Sequence, residues 1–318
     1  MPAVVKNNPP AILLMGPTAS GKTAVAMELT RRFPVELISV DSAQVFRDMN
    51  IGTAKPDAAT LKDFPHHLID LISPEDSYSA ARFCADALAA MADISARGKV
   101  PLLVGGTMLY FKALLEGLAD LPQACLETRA DIDSQAIAHG WPAVHATLAE
   151  VDPATAARLH PTDAQRIQRA LEVFRLAGRP LSALFAESKC QLPPYNFLSL
   201  GLLPTERSVL HQRIAQRYDA MLKAGLENEI DMLRAKYQLN LNLPSMRCVG
   251  YRQIWEVQDG LAPRNEMRDR GVYATRQLAK RQITWMTNTL QPETFDCLAE
   301  NIASVTVERV TKFLDDRA

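Results

Sequence analysis

The segment Gly16-Pro17-Thr18-Ala19-Ser20-Gly21-Lys22-Thr23 restricts the possible folds of this chain more than any other. It satisfies the eight-residue Walker A pattern, Gly-x-x-x-x-Gly-Lys-Thr, and its surroundings suit the physics of that pattern. The apolar run Ala11–Met15 precedes it, and Thr23–Phe33 follows with Val25, Leu29 and Phe33 at four-residue spacing, giving strand, loop, helix. In such a loop, backbone N–H groups and a helix N-terminus surround phosphate oxygens, Lys22 adds positive charge, and the Thr23 hydroxyl can ligate Mg²⁺. A tight packing turn would explain the glycines but not Lys22-Thr23. The expectation is therefore phosphate, diphosphate or nucleotide (ATP) binding by Gly16, Pro17, Thr18, Ala19, Ser20, Gly21, Lys22 and Thr23, with Thr23 as the metal ligand.

Similar apolar runs recur at Glu36–Val40, Leu68–Ile72 and Val100–Val104, with a helical stretch, Ser79–Arg97, between the last two. Strands alternating with helices imply an α/β core with a mainly parallel sheet. After about Leu121 the pattern changes: Glu127–His139, Pro142–Glu150, Ala154–Leu159 and Asp163–Ala177 all read as helices, an all-helical insertion. Pro193-Pro194 marks re-entry, Phe197–Leu203 a returning strand, and Leu210–Tyr237 amphipathic helices. The expected division is a first core part over 1–121, the insertion over 122–195, and a second core part over 196–318. Leu298–Phe313 has helical periodicity and no motif, so its expected role is packing.

Hydrophobic residues make up 47% and charged residues 22%, which excludes a disordered or membrane-spanning chain. The start, Met1 to Pro10, is too polar and proline-rich for a secretory signal. Five scattered cysteines (Cys84, Cys125, Cys190, Cys248, Cys297) suit neither a disulfide framework nor a thiolate metal site, so the expected location is cytoplasmic. His66-His67 has no further ligand at metal spacing and reads as structural. The net charge of −1 hides a local excess, for Ser245–Trp285 carries +4.

The loop does not identify the phosphate compound. A nucleotide hydrolase usually places an acid at the end of a neighbouring strand to hold Mg²⁺, but Val100–Val104 ends in Gly105-Gly106-Thr107. The acid that follows a strand is Asp41, in Asp41-Ser42-Ala43-Gln44. Residues just past strand C-termini line the ligand crevice of a parallel sheet, which brings Asp41 and Thr107 near the loop. Asp41 has two chemical readings, a Mg²⁺ ligand through water or a base accepting a proton, and a third as the cap of a following helix.

Together these segments resemble the tRNA dimethylallyltransferase family, also called tRNA isopentenyltransferases. The resemblance rests on the loop, Asp41-Ser42-Ala43-Gln44, Ile51-Gly52-Thr53-Ala54-Lys55-Pro56, His66-His67-Leu68-Ile69-Asp70 and Val104-Gly105-Gly106-Thr107. It continues through Leu159-His160-Pro161, Asp163 to Glu172, Gly250-Tyr251-Arg252-Gln253 and Thr275-Arg276 through Trp285. The motifs run in the family's order from about Ile12 to Trp285. Phe46 and Met108 depart from the usual Tyr and Gly, without removing an ionisable or phosphate-binding group.

The resemblance implies a P-loop NTPase-like core interrupted by a helical anticodon-loop-binding insertion, Mg²⁺ as cofactor, dimethylallyl diphosphate as donor and tRNA as acceptor. The target it implies is the adenine 3′ of the anticodon, position 37, in tRNAs reading codons that begin with U. Lys22, Thr23 and the loop amides would hold the leaving diphosphate, Asp41 would act as base, and Thr107 would orient the amine. Implied tRNA contacts are Asp41, Ser42, Ala43, Gln44 and Thr107; Arg129, for diphosphate or tRNA phosphate; Gln165, Arg166, Ile167, Gln168 and Arg169; Arg247, Cys248, Val249, Gly250, Tyr251 and Arg252; and Lys280, Arg281, Gln282, Ile283, Thr284 and Trp285. Gln44 has an amide suited to adenine or else faces solvent, and the arginines on the Asp163 helix could equally form a solvated face. Tyr251, Tyr273 and Trp285 could stack on bases or belong to the core. A monomer is the expected state. Rival readings are a P-loop small-molecule kinase and a non-catalytic RNA-binding protein.

Overall fold

The computed structural model describes residues 8–117, 119, 121–187 and 192–316, which leaves Cys190 and the start of the chain through Asn7 outside the described residues. The chain begins with β1 (Pro10–Met15), α1 (Lys22–Arg32), β2 (Val35–Val40), α2 (Ala58–Asp63), β3 (His66–His67), α3 (Ala80–Ala96), β4 (Val100–Gly105) and α4 (Met108–Glu116). Helices alone follow: α5 (Leu126–His139), α6 (Trp141–Val151), α7 (Pro153–Ala156), α8 (Ala164–Ala177) and α9 (Leu181–Glu187). The remainder comprises β5 (Asn196–Leu203), α10 (Arg207–Lys223), α11 (Leu226–Lys236), α12 (Tyr251–Gln258), α13 (Met267–Trp285), β6 (Glu293–Asp296) and α14 (Ile302–Asp315), with short turns of other helix types between them.

Two compact units result: one takes the chain up to Leu115 and again from Pro193, the other is Glu116–Leu192. In the first, six strands form one sheet of order β3-β2-β4-β1-β5-β6, and every neighbouring pair is parallel. This is a P-loop NTPase-like α/β core.

The sequence of β1 explains its central place. Its residues from Ala11 to Met15 are wholly buried. Ala11, Leu13 and Met15 face a layer containing Phe83, Met91 and Phe111 from α3 and α4. Ile12 and Leu14 face Val25, Leu29, Val310 and Phe313 from α1 and α14. Side chains of a strand alternate between faces, so a strand covered on both sides must be apolar throughout. Each isoleucine, leucine or methionine side chain of β1 contributes about 1.5–3 kcal/mol relative to exposure. A third cluster, with Phe46, Ile214, Tyr218, Leu226, Tyr251 and Trp255, packs α10, α11 and α12 together beside the chain that follows β2.

The helical unit has its own core, including Ile132, Leu148, Ile167, Leu171 and Leu181. Within it Glu172 is fully buried. Burial pushes its carboxyl up, but hydrogen bonds from Arg129, Arg169 and the Cys125 amide hold it below the ordinary value.

Some expectations need correction. Leu68–Ile72 is not a strand: Leu68 and Asp70 have positive φ (65° and 56°), which breaks an extended run, and Ile72 makes only an isolated bridge with Phe46. The pairing falls instead on His66 and His67, against Leu37 and Ile38. Ala154–Leu159 shortens to α7, whose N-terminus is capped by the Asp152 side chain. The tail contains β6 as well as a helix, pairing with β5 from Leu200↔Glu293 to Leu203↔Asp296.

Close packing at the end of β4 makes a test. A Cβ on Gly105 would lie 2.0 Å from the Val40 carbonyl oxygen, a backbone atom that cannot rotate away. Gly105→Ala should destabilise the protein by about 3 kcal/mol or more, as overpacking against a fixed neighbour does. Chemical denaturation measures it, and an unchanged midpoint would contradict the packing described.

Candidate active site

The phosphate loop leaves β1 and closes on α1. Gly21 has a φ of 84° and stands at the helix N-cap without a side-chain cap, so the first N–H groups of α1 stay open to a ligand. Ala19 also has positive φ (63°), an arrangement that costs a non-glycine residue energy and often accompanies function. Ser20 Oγ is buried with no hydrogen-bond partner among the described residues. Gly16 makes the room, since a Cβ there would lie 2.6 Å from that oxygen. Lys22 Nζ donates to the Pro17 carbonyl at 2.7 Å and so folds back over the loop.

Lys22, Thr18 and Thr23 border a cavity of about 600 Å³, also lined by Asp41, Ser42, Gln44, Thr107 and Arg217. The crevice expectation therefore holds geometrically: the loop, Asp41 and Thr107 face one space. Asp41 Oδ1 accepts the backbone N–H of Ala43 at 2.8 Å and of Gln44 at 3.4 Å. This fixes a turn and not a helix cap, because no helix follows Asp41. No hydrogen bond to Asp41 Oδ2 is found among the described residues, which leaves that oxygen to the cavity. Thr107 Oγ1 accepts from the Ser42 N–H at 3.0 Å and lies 3.3 Å from Ser42 Oγ, linking the β2 and β4 loops.

Arg217 on α10 is a functional candidate that the sequence reading missed. It lines the cavity, and burial pulls its guanidinium below the ordinary value while the Asp41 carboxylate opposes that shift. Burial, with Arg217 beside it, also brings the Lys22 ammonium down to about 8, against the pull of Asp41. Two cations near one open helix terminus make a site that an anion would stabilise. His66 lines the same cavity, while His67 Nε2 sits 3.2 Å from Glu36 at its ion-pair cluster.

Gln282 was expected at the RNA, yet its amide is used inside. Its Oε1 accepts the Thr18 N–H at 2.8 Å, and its Nε2 donates to the Gly106 carbonyl at 2.8 Å. A Cβ on Gly106 would lie 2.4 Å from that Nε2. One side chain thus ties the phosphate loop to the loop carrying Thr107.

Other expected contacts divide by geometry. Gln44 is engaged internally: its Oε1 accepts from Ser39 Oγ at 3.0 Å, and its Nε2 lies 3.4 Å from the Thr53 and Ala54 carbonyls. Tyr251 and Ile167 are fully buried and offer no surface for RNA, so both are corrected to core residues. Ile283 packs against the α10–α13 core. Arg129 and Arg169 both pair with Glu172, at 2.8 and 2.7 Å, and Gln168 donates to Asp133 at 2.6 Å. Arg166, with 71% of its side chain exposed, and Gln165 face solvent. Cys248, Val249 and Gly250 line the cavity, where burial, with Asp41 adding to it, pushes the Cys248 thiol up to about 12. Trp285 also lines it, whereas Tyr273 is exposed.

The local charge excess resolves in space. Arg252 and Arg270 pair with Glu256, Arg264 with Glu227, and Arg268 with Asp219. Arg247, Arg276, Lys280 and Arg281 have no carboxylate partner among the described residues, and Arg247 and Arg281 line the cavity. Thr284 Oγ1 bonds back to the Lys280 carbonyl at 3.0 Å.

Fold and site together define a P-loop NTPase-like α/β protein in which the glycine-rich loop after β1 borders a cavity shared with Asp41, Thr107 and Arg217. Residues 44–289 match the model of the IPP transferase family, and the chain belongs to that family. It is 70% identical to a tRNA dimethylallyltransferase of Dechloromonas aromatica, covering 96% of this chain and 98% of that one. The corresponding protein of Chromobacterium violaceum is 60% identical, over 98% and 96%. Among solved structures, a tRNA isopentenylpyrophosphate transferase from Bacillus halodurans is 34% identical with a TM-score of 0.69, over 97% of this chain and 96% of that one. A eukaryotic dimethylallyltransferase captured acting on tRNA is 27% identical with a TM-score of 0.84, over 98% and 80%.

The Lys22 shift yields a pH test. The ammonium attracts an anion and the neutral amine does not, and a bound anion raises the pKa further. Affinity for pyrophosphate should therefore hold below about 8 and decline above it. Calorimetric titrations of the wild type and of Lys22→Gln remove the pyrophosphate's own ionisation from the comparison. The gap between the two should narrow as pH rises through that value, and a constant gap would contradict it.

Proposed function

We propose that the protein transfers a dimethylallyl group from dimethylallyl diphosphate to the exocyclic amine of an adenine in tRNA, releasing diphosphate. The observation that carries this reading is a single cavity holding both a phosphate loop and, past the ends of β2 and β4, a carboxylate oxygen and a threonine hydroxyl. Family membership narrows the chemistry to prenyl transfer.

In this mechanism the donor's diphosphate lies on the loop amides, with Lys22 and Arg217 close by. Negative charge accumulates there as the allylic carbon–oxygen bond breaks, and charges fixed before the reaction stabilise it. Thr23, an oxygen donor on the cavity wall, suits the hard cation Mg²⁺, with the unpaired Ser20 hydroxyl nearby in the same loop. Mg²⁺ would supply further charge neutralisation at the diphosphate.

An adenine amine is a weak nucleophile because its lone pair is delocalised into the ring. As the nitrogen–carbon bond forms, Asp41 Oδ2 takes the departing proton, and Thr107, held by Ser42, orients the amine. The base must leave its stack to reach the cavity, at a cost of a few kcal/mol. Arg247 and Arg281 at the cavity, with Arg276 and Lys280 on α13, offset that cost through phosphate contacts. On the helical unit Gln165 and Arg166 are the exposed candidates for the anticodon stem-loop. The target in this reading is position 37, 3′ of anticodons that read codons beginning with U. The protein works as a cytoplasmic monomer.

The test incubates the protein with unmodified tRNA, Mg²⁺ and labelled dimethylallyl diphosphate or labelled ATP. Label from the prenyl donor should appear on the RNA. Phosphoryl transfer from ATP would indicate a kinase, and RNA binding without transfer would indicate a binding protein. Asp41→Asn retains the turn-forming acceptor but cannot take a proton as a carboxylate. Its single-turnover rate should fall by about 10²- to 10⁴-fold with substrate binding little changed. Near-normal turnover, or recovery at raised Mg²⁺, would remove Asp41 from the role of base.

A further inference from the structure

Glu229 on α11 is a buried carboxyl group, 7% exposed, that the mechanism above does not use. Its Oε2 accepts the N–H groups of Asn50 at 3.1 Å and Ile51 at 2.7 Å. Its Oε1 accepts the Gly52 N–H at 3.3 Å and the Tyr251 hydroxyl at 2.6 Å. Burial pushes the Tyr251 phenol up, so the hydroxyl keeps its proton and remains a donor. Four donors from two separate segments thus converge on one side chain.

Both segments are cavity wall. Gly52, Thr53, Ala54 and Pro56 line the space from a strap that follows β2, and Cys248, Val249 and Gly250 line it just ahead of α12, whose first residue is Tyr251. The strap lies directly on the Tyr251 ring, since a Cβ on Gly52 would fall 2.4 Å from Tyr251 Cε2 and 2.9 Å from Leu226 Cδ1. The strap's inner side touches the reaction centre through Gln44. Its Nε2 lies against the Thr53 and Ala54 carbonyls, and its backbone N–H points to Asp41 Oδ1.

We propose that Glu229 is a positioning residue for the transfer. Its carboxylate locks the 50–56 strap to the start of α12, and through Gln44 the strap fixes the turn that aims Asp41. This rests on the transfer reading above. None of the links involves the phosphate loop, so the device acts on the alignment of the reacting groups and not on anion binding. Small errors of alignment are costly, with displacement of about 1 Å reducing rates by about 10²-fold.

The experiment compares wild type with Glu229→Gln, which keeps the volume but exchanges one acceptor oxygen for an amino group facing N–H and O–H donors. Single-turnover prenyl transfer, donor KM and calorimetric pyrophosphate affinity are measured at a temperature where circular dichroism shows both proteins folded. The expected result is a rate reduced by about 10- to 100-fold with donor KM and pyrophosphate affinity unchanged. A general loss of structure would lower the rate and the pyrophosphate affinity and raise the donor KM together, and that outcome overturns the proposal, as does a variant that transfers at the wild-type rate. Should Glu229→Gln not fold, Tyr251→Phe removes only the hydroxyl link and must show the same split at smaller size. An inactive wild type would refute the transfer reading itself, which keeps the two failures apart.

Discussion

The arrangement of the site depends on the Gln282 side chain, which joins the phosphate loop to the Thr107 loop beyond Met15 and Gly105, where the pairing of β1 with β4 ends. It accepts from the Thr18 N–H and donates to the Gly106 carbonyl, both at 2.8 Å. Each bond alone is worth on the order of 1 kcal/mol net. Their value lies in geometry: the glycine-rich loop after β1 and the loop presenting Thr107 cannot drift independently while one amide holds both. Gly106 is small enough to let that amide approach, and the Gly105 backbone closes on β2 beside it.

Around this link the sheet supplies rigidity and the helices supply charge. Strands buried on both faces bring the loops after β1, β2 and β4 to one edge, where Lys22, Asp41 and Thr107 meet. α10 adds Arg217, and α13 adds Gln282 and unpaired cations. Within Ser245–Trp285, Arg247, Arg276, Lys280 and Arg281 remain without carboxylate partners among the described residues, while those paired with Glu256, Glu227 and Asp219 are spent on the fold. The distribution of unpaired charge, and not the net charge of −1, carries the functional information.

How much of this was legible in the sequence depended on whether the signal was local. The Gly16–Thr23 loop is local, eight consecutive residues, and its setting between a strand and a helix reads correctly from spacing alone. The crevice rule also brought Asp41 and Thr107 together, because both follow apolar runs that are true strands. Leu68–Ile72 failed because an apolar run says nothing of the positive φ at Leu68 and Asp70. Arg217 gave no signal, since one arginine in an amphipathic helix resembles any solvated charge. The internal bonds of Gln282 gave no signal: its partner Thr18 lies 264 residues away, and no periodicity encodes such a bond. The buried roles of Glu172 and Glu229 were not readable, because burial of a carboxylate becomes visible only when its donors, from distant segments, are in place. Tyr251 shows the reverse case, an aromatic residue in a motif that turned out to be core.

The central claim is that donor cradle and acceptor loop form one mechanical unit through Gln282. A double-mutant cycle tests it directly, with single-turnover prenyl transfer measured for the wild type, Gln282→Ala, Thr107→Ala and the double variant. If Gln282 acts through the Thr107 loop, the two losses overlap, and the double variant should be little slower than the worse single one. Losses that multiply in full would mean that the two residues work independently, and would contradict the account.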